Sequence, residues 1–161
     1  MKYLTLIRHA KSDHSAPGTA DHDRPLNTRG RSDAPIMGTR LTALFPAPDI
    51  VLASPAQRVQ QTLAGLTSGG ALTDSRVVEY HDALYLADAE VLWDFAASAL
   101  LEDDEGWTVA HNPGINEAVE QFSGARLENL PTLGVARIAF EEVVVESANG
   151  TLVFYDTPKS R

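Results

Sequence analysis

The chain has 161 residues and no cysteine, which is long enough to bury a core as one domain without disulfides and excludes thiol nucleophiles and cysteine-based zinc sites. Its 22 acidic residues outnumber 13 lysines and arginines, for a formal charge of −9, so nucleic acid and anionic membrane surfaces are repelled overall. Arg8, Lys11, Arg24, Arg29, Arg31, Arg40 and Arg58 nevertheless gather in the first part of the chain, a distribution suited to a local cationic pocket for a small anion or one phosphorylated group.

Residues 3–7, YLTLI, are predicted as a short inner strand that stops at Arg8 and His9. That would place a cation and an imidazole at the carboxyl edge of a sheet, where α/β proteins bind ligands. The run is too short and too soon broken for a signal peptide, and no stretch approaches membrane-spanning length, so a cytoplasmic location is expected. Residues 13–27, rich in Asp, His, Ser, Pro and Gly, are predicted as a long loop. A helix follows over 28–45, with Met37, Leu41, Leu44 and Phe45 at helical spacing, Asn27 or Thr28 as N-cap and Pro46 as its stop. After a buried strand at 49–53, Ser54, Pro55 and Gln57 suit the N-cap, N1 and N3 positions of a helix over 55–66.

Residues 76–79 are predicted as a strand and 88–101 as a helix whose Val91, Leu92, Phe95 and Ala99 share one face. The acids at 102–105 read as a solvated loop. A buried strand at 107–110 then ends at His111, and Asn112-Pro113 caps a helix reaching about residue 122. Residues 135–140 and 152–155 read as strands joined near Asn149-Gly150. Trp93, Trp107 and Phe95 fit core or helix-face positions. His14, His22 and His81 lack metal-ligand spacing and read as exposed or loop residues. Strands alternating with helices imply an α/β domain over residues 1–161: a three-layer αβα sandwich with a mostly parallel central sheet, helices on both faces, and the last strands at an antiparallel edge.

Three strand ends carry polar groups suited to one anion. Arg8 and His9 follow the first strand, Arg58 lies on the first helical turn after the second, and His111 follows the fourth. Planar guanidinium forks match phosphoryl oxygens bidentately and cannot lose their protons, while a neutral imidazole can attack phosphorus. A second histidine can stabilise charge on the equatorial oxygens during in-line transfer. Lys11, Arg29 and Arg31 are expected to ring the pocket mouth.

The segments LIRHAKS, DRPLNTRG, SPAQRVQQT and HNPG occur in that order between residues 6 and 114 and resemble the motifs of the histidine phosphatase superfamily, within it the SixA-like phosphohistidine phosphatases. The resemblance implies a phosphoglycerate mutase-like fold and a metal-independent, cofactor-free phosphatase. It implies that His9 is the nucleophile, that Arg8 and Arg58 hold the phosphate, and that His111 is the second catalytic histidine. Arg24 would also reach the phosphate, or would pair with Asp21 or Asp23 on the surface. Asn112 would contribute its amide or cap the helix, and Ala10 stands where many relatives have glycine.

Mutases and phosphomonoesterases of the superfamily carry an acid after the third strand. Here Asp82 is the nearest candidate and Glu79 the next, although either fits an ordinary solvated carboxylate. An imidazole leaves a phosphoramidate more easily than an alkoxide leaves an ester, so a missing acid points to phosphohistidine on a protein as substrate. The alternatives are a small-molecule phosphomonoesterase that uses one of these acids, and a non-catalytic phosphoprotein-binding module. Neither nucleic acid nor membrane is expected as a partner. Replacing either Arg8 or Arg58 is expected to reduce turnover more than it disturbs folding.

Overall fold

The computed structural model describes residues 1–73 and 77–159. Within them the chain forms β1 (Lys2–Arg8), α1 (Thr28–Leu44), β2 (Ile50–Ala53), α2 (Gln57–Ser68), β3 (Val78–Tyr80), α3 (Ala89–Leu100), β4 (Glu105–Ala110), α4 (Gly114–Ser123), β5 (Val135–Phe140) and β6 (Thr151–Asp156). The strands make one sheet in the order β3-β2-β4-β1-β5-β6. The first four in this order run parallel, and β5 and β6 are antiparallel at one side.

Strand side chains alternate between the two faces, which divides the apolar residues into two cores. Leu4 and Leu6 of β1 pack with Leu92, Ala96, Ile115 and Val119 of α3 and α4. Ile7 of β1, with Trp107 and Val109 of β4, packs with Met37, Leu41, Val59 and Leu63 of α1 and α2. The inner strands are thus covered on both sides, giving the expected three-layer αβα arrangement. No helix among the described residues is long and apolar enough to cross a membrane.

Beyond one-residue shifts at element ends, the boundaries differ from the sequence reading at three elements. The third strand is Val78–Tyr80, and Arg76, its expected first residue, lies outside the described residues. Helix α2 begins at Gln57 with Ala56, which has no capping side chain, at its N-cap; Ser54 lies two residues earlier, where its hydroxyl accepts from the Ala56 N–H at 3.3 Å and also meets a tertiary partner described below. Strand β4 begins at Glu105, which is no solvated loop residue. Its carboxylate accepts from Arg137 Nη2 at 2.7 Å and Nη1 at 2.9 Å, and the Arg137 guanidinium lies between the rings of Tyr3 and Phe45, 4.2 and 4.3 Å from their centroids.

Candidate active site

The register of the three central strands determines which side chains meet. Arg8 of β1 pairs with Ala110 of β4, and Ala53 of β2 pairs with Val109 of β4, so three strand ends are nearly level at the carboxyl edge. The next residues are His9, His111 and Ser54. Because β4 lies between β1 and β2, His111 stands between the other two, and neighbouring strands about 4.8 Å apart bring their side chains into contact range. The His9 and His111 ring centroids are 5.3 Å apart, and His111 Nε2 is 2.8 Å from Ser54 Oγ.

Hydrogen bonds assign the protons. His9 Nδ1 lies 2.8 Å from the Ala10 carbonyl oxygen, which can only accept, so Nδ1 carries the hydrogen and Nε2 keeps its lone pair. The backbone N–H of Ala10 donates to Thr62 Oγ1 at 2.9 Å, fixing the turn that carries this carbonyl. Arg58 Nη2 lies 3.2 Å from His111 Nδ1. A guanidinium only donates, so Nδ1 accepts and Nε2–H donates to Ser54 Oγ. Burial pushes the pKa of His9 down to about 3, with the positive fields of His111, Arg58 and Arg8 adding to it. Burial and then Arg58 lower that of His111 to about 4. Both imidazoles are therefore neutral near pH 7.

Arg58 is only 2 % exposed, because the first turn of α2 carries it beneath the loop of residues 13–27. Its Nη1 donates to the Asp21 carbonyl at 2.7 Å and its Nη2 to Asp21 Oδ2 at 3.0 Å. Arg58 is thus a buried, paired side chain and not one at an exposed pocket mouth, so its replacement is expected to disturb the packing here as well as turnover. Arg8 Nη1 donates to the Leu130 carbonyl at 3.0 Å. The Nε atoms of both Arg8 and Arg58 are buried and without a hydrogen-bond partner among the described residues.

These groups line a cleft of about 330 Å³ that also takes in Lys11, Arg24, Asn112 and Leu86. Arg24 combines both expected placements: it lines this cleft and is paired with Asp21, Nη2 to Oδ1 at 3.1 Å. The Asn112 side chain caps in part, accepting from Asn116 N at 3.2 Å, and ties down the following loop by donating to the Leu130 carbonyl at 2.9 Å. Of the cations expected at the mouth, Lys11 lines the cleft, whereas Arg29 pairs with Asp33 and Arg31 donates to the Leu26 carbonyl. His14 is exposed on the loop, as expected, and it also lines the cleft, 3.2 Å from Arg24 Nη1.

The expected acids are elsewhere. Asp82 is exposed and outside the cleft wall. Glu79 pairs with His81 at 3.1 Å, and both line a separate, largely apolar groove with Phe95. The carboxylate that does line the cleft is Asp21, which sequence reasoning treated only as a surface partner. The available signal was an acid three residues before Arg24 in a loop dense with polar residues. The Tyr85 hydroxyl donates to Asp21 Oδ2; this bond, then Arg24 and Arg58, hold the carboxyl far below the usual carboxylate range. Among the described residues no three His, Asp or Glu side chains are grouped as metal ligands.

Comparison with known proteins places this geometry. The sequence profile of the histidine phosphatase superfamily (branch 1) matches residues 4–84. A Mycobacterium tuberculosis protein, itself uncharacterized, is 34% identical over 164 residues, covering 95% of this chain and all of its own length. The crystal structure of a candidate SixA phosphohistidine phosphatase from Agrobacterium tumefaciens superposes with a TM-score of 0.84 at 28% identity, covering 98% of both chains. A protein histidine phosphatase SixA solved with tungstate superposes at 0.82 with 23% identity, over 97% of both chains, a likeness of fold. With its four motifs gathered at one sheet edge, the chain belongs to the histidine phosphatase superfamily and has the SixA-like form of its fold.

Proposed function

We propose that the protein is a phosphatase that works through a covalent phosphohistidine on His9 and removes phosphate from phosphohistidine carried on a protein. Membership of the superfamily supports phosphatase activity. The observation that carries the mechanism is the hydrogen bond from His9 Nδ1 to the Ala10 carbonyl, which leaves Nε2 unprotonated in a cleft lined by Arg8 and Arg58. The Nε2 lone pair attacks phosphorus, the bond from phosphorus to the leaving nitrogen breaks, and the departing imidazole takes its proton from water. A water molecule then cleaves the phosphorus–nitrogen bond on His9, releasing phosphate. The arriving dianion draws Arg58 onto its oxygens, releasing His111 Nδ1 from that donor, and the same charge favours a proton on Nδ1, making His111 a donor to the transferring group.

The placement of the carboxylates supports this substrate class. Asp82 and Glu79 stand outside the cleft, and Asp21 is held ionised by three donors, so no carboxylic acid stands ready to protonate an alkoxide. A phosphoramidate, whose leaving imidazole is better, needs none. Rapid acid quenching of the protein with labelled phosphohistidine peptide is expected to trap an acid-labile phosphoenzyme that His9→Ala abolishes. Undiminished label in that variant would sink the nucleophile assignment. A substrate panel tests the class: preference for a phosphorylated alcohol that disappears in Asp82→Asn would establish a phosphomonoesterase instead.

A further inference from the structure

We propose that Asp21 is a positioning residue that joins an arginine on a loop and an arginine on a helix into one anion clamp. The proposal rests on reading the cleft as a phosphate site. Arg24 belongs to the loop of residues 13–27, immediately after the short helical turn Asp21–Asp23, whereas Arg58 is anchored on α2. Two guanidinium groups at one cleft repel each other and, on separate elements, would splay apart. Asp21 lies between them. Its Oδ1 accepts from Arg24 Nε at 3.3 Å and Nη2 at 3.1 Å, and its Oδ2 accepts from Arg58 Nη2 at 3.0 Å. Its backbone carbonyl accepts from Arg58 Nη1 at 2.7 Å and from the Arg24 N–H at 3.2 Å.

The Tyr85 hydroxyl braces the same carboxylate from the segment after β3, and the Tyr85 ring stands edge-on to His111 with centroids 5.4 Å apart. Asp21 thereby holds Arg24 through its Nε and Nη2 and Arg58 through its two terminal nitrogens, and the Arg58 Nε has no partner among the described residues. Its low proton affinity fits this role, because a carboxylate that stays ionised neither gives a proton to a leaving group nor readily takes one from water.

The test is a double-mutant cycle on inorganic phosphate binding, measured by calorimetry on the full chain. Where Asp21 is present, Arg24→Ala is expected to weaken phosphate about tenfold; in the Asp21→Asn background the same change should cost less than about twofold, because Arg24 has already left the clamp. An equal cost of Arg24→Ala in both backgrounds would overturn the proposal, as would tighter phosphate binding in Asp21→Asn with that cost retained, which would make Asp21 a competing anion. If Asp21→Asn does not fold, Tyr85→Phe takes its place in the cycle, removing one brace and keeping the charge, and a reduced Arg24→Ala cost is again required.

With an aryl phosphate as substrate, the pH profile of kcat/KM in Asp21→Asn should keep the wild-type shape at lower height. Loss of one limb would show Asp21 to be an acid or base and overturn the positioning role. Intact coupling in phosphate binding without turnover of any phosphorylated substrate would count against the phosphatase reading and support the clamp.

Discussion

At the residue scale, the protonation of the candidate site is dictated by groups that cannot titrate. Arg58 can only donate, which forces the hydrogen of His111 onto Nε2 and directs it to Ser54. Ser54 was legible in the sequence only as a helix cap, because the local pattern Ser-Pro-Ala-Gln satisfies the capping rules whether or not the side chain is free. Its hydroxyl does accept from the Ala56 N–H at 3.3 Å, but its other partner is a histidine 57 residues away, beyond the reach of any local rule. Ser54→Ala leaves the His111 Nε2–H buried without an acceptor, at a cost of about 1–3 kcal/mol. The expected outcome is a lower urea midpoint and about a tenfold loss of kcat from a misoriented His111. Unchanged turnover with reduced stability would confine Ser54 to the fold. Arg8, His9, Arg58 and His111 were readable because strand ends and a helix start bring them to one edge, whereas Asp21 and Tyr85 join that edge through loops whose path depends on tertiary contacts.

At the scale of elements, two motif glycines explain how helices come close enough to build the cleft. Gly30 closes DRPLNTRG and sits in the first turn of α1, where a Cβ would overlap the Lys11 carbonyl oxygen just beyond His9 and Ala10. Gly114 closes HNPG at the start of α4, where a Cβ would overlap the carbonyl oxygen of Ala87. Both neighbours are backbone, which cannot rotate aside. Gly30→Ala and Gly114→Ala should each destabilise the fold by about 1–3 kcal/mol through overpacking. Gly30→Ala should also weaken phosphate binding, because relief of the clash moves the turn holding His9. Urea denaturation and phosphate titration of both variants check this, and wild-type stability in either would refute the close approach. The helix spans were readable from periodicity and capping, as at Asn27, whose Oδ1 accepts from Gly30 N at 2.9 Å. The early start of β4 was hidden because Glu105 continues an acidic run, and its partner Arg137 lies 32 residues away.

At the scale of the whole molecule, the buried imidazoles tie stability to pH. His9 and His111 have pKa values of about 3 and 4 in the folded chain, below the ordinary 6.5, so between these limits the unfolded chain binds more protons than the folded one. Stability gained from keeping both rings neutral is fully present above pH 6.5 and is lost as pH falls towards 4 and then 3, by up to about 1.4 kcal/mol per pH unit for each ring. Asp21 acts in a lower window, since its carboxyl, ordinarily near 3.8, is depressed on folding and its contribution is lost only below that value. The interval from pH 7 to pH 5 therefore isolates the histidines. In phosphate-free buffer, where no bound anion recruits protons to the native state, the urea midpoint should fall from pH 7 to pH 5. The double variant His9→Asn with His111→Asn should show a much smaller fall. An equal fall in both proteins would mean that some other group carries the acid sensitivity, and that the two rings are not held neutral by burial.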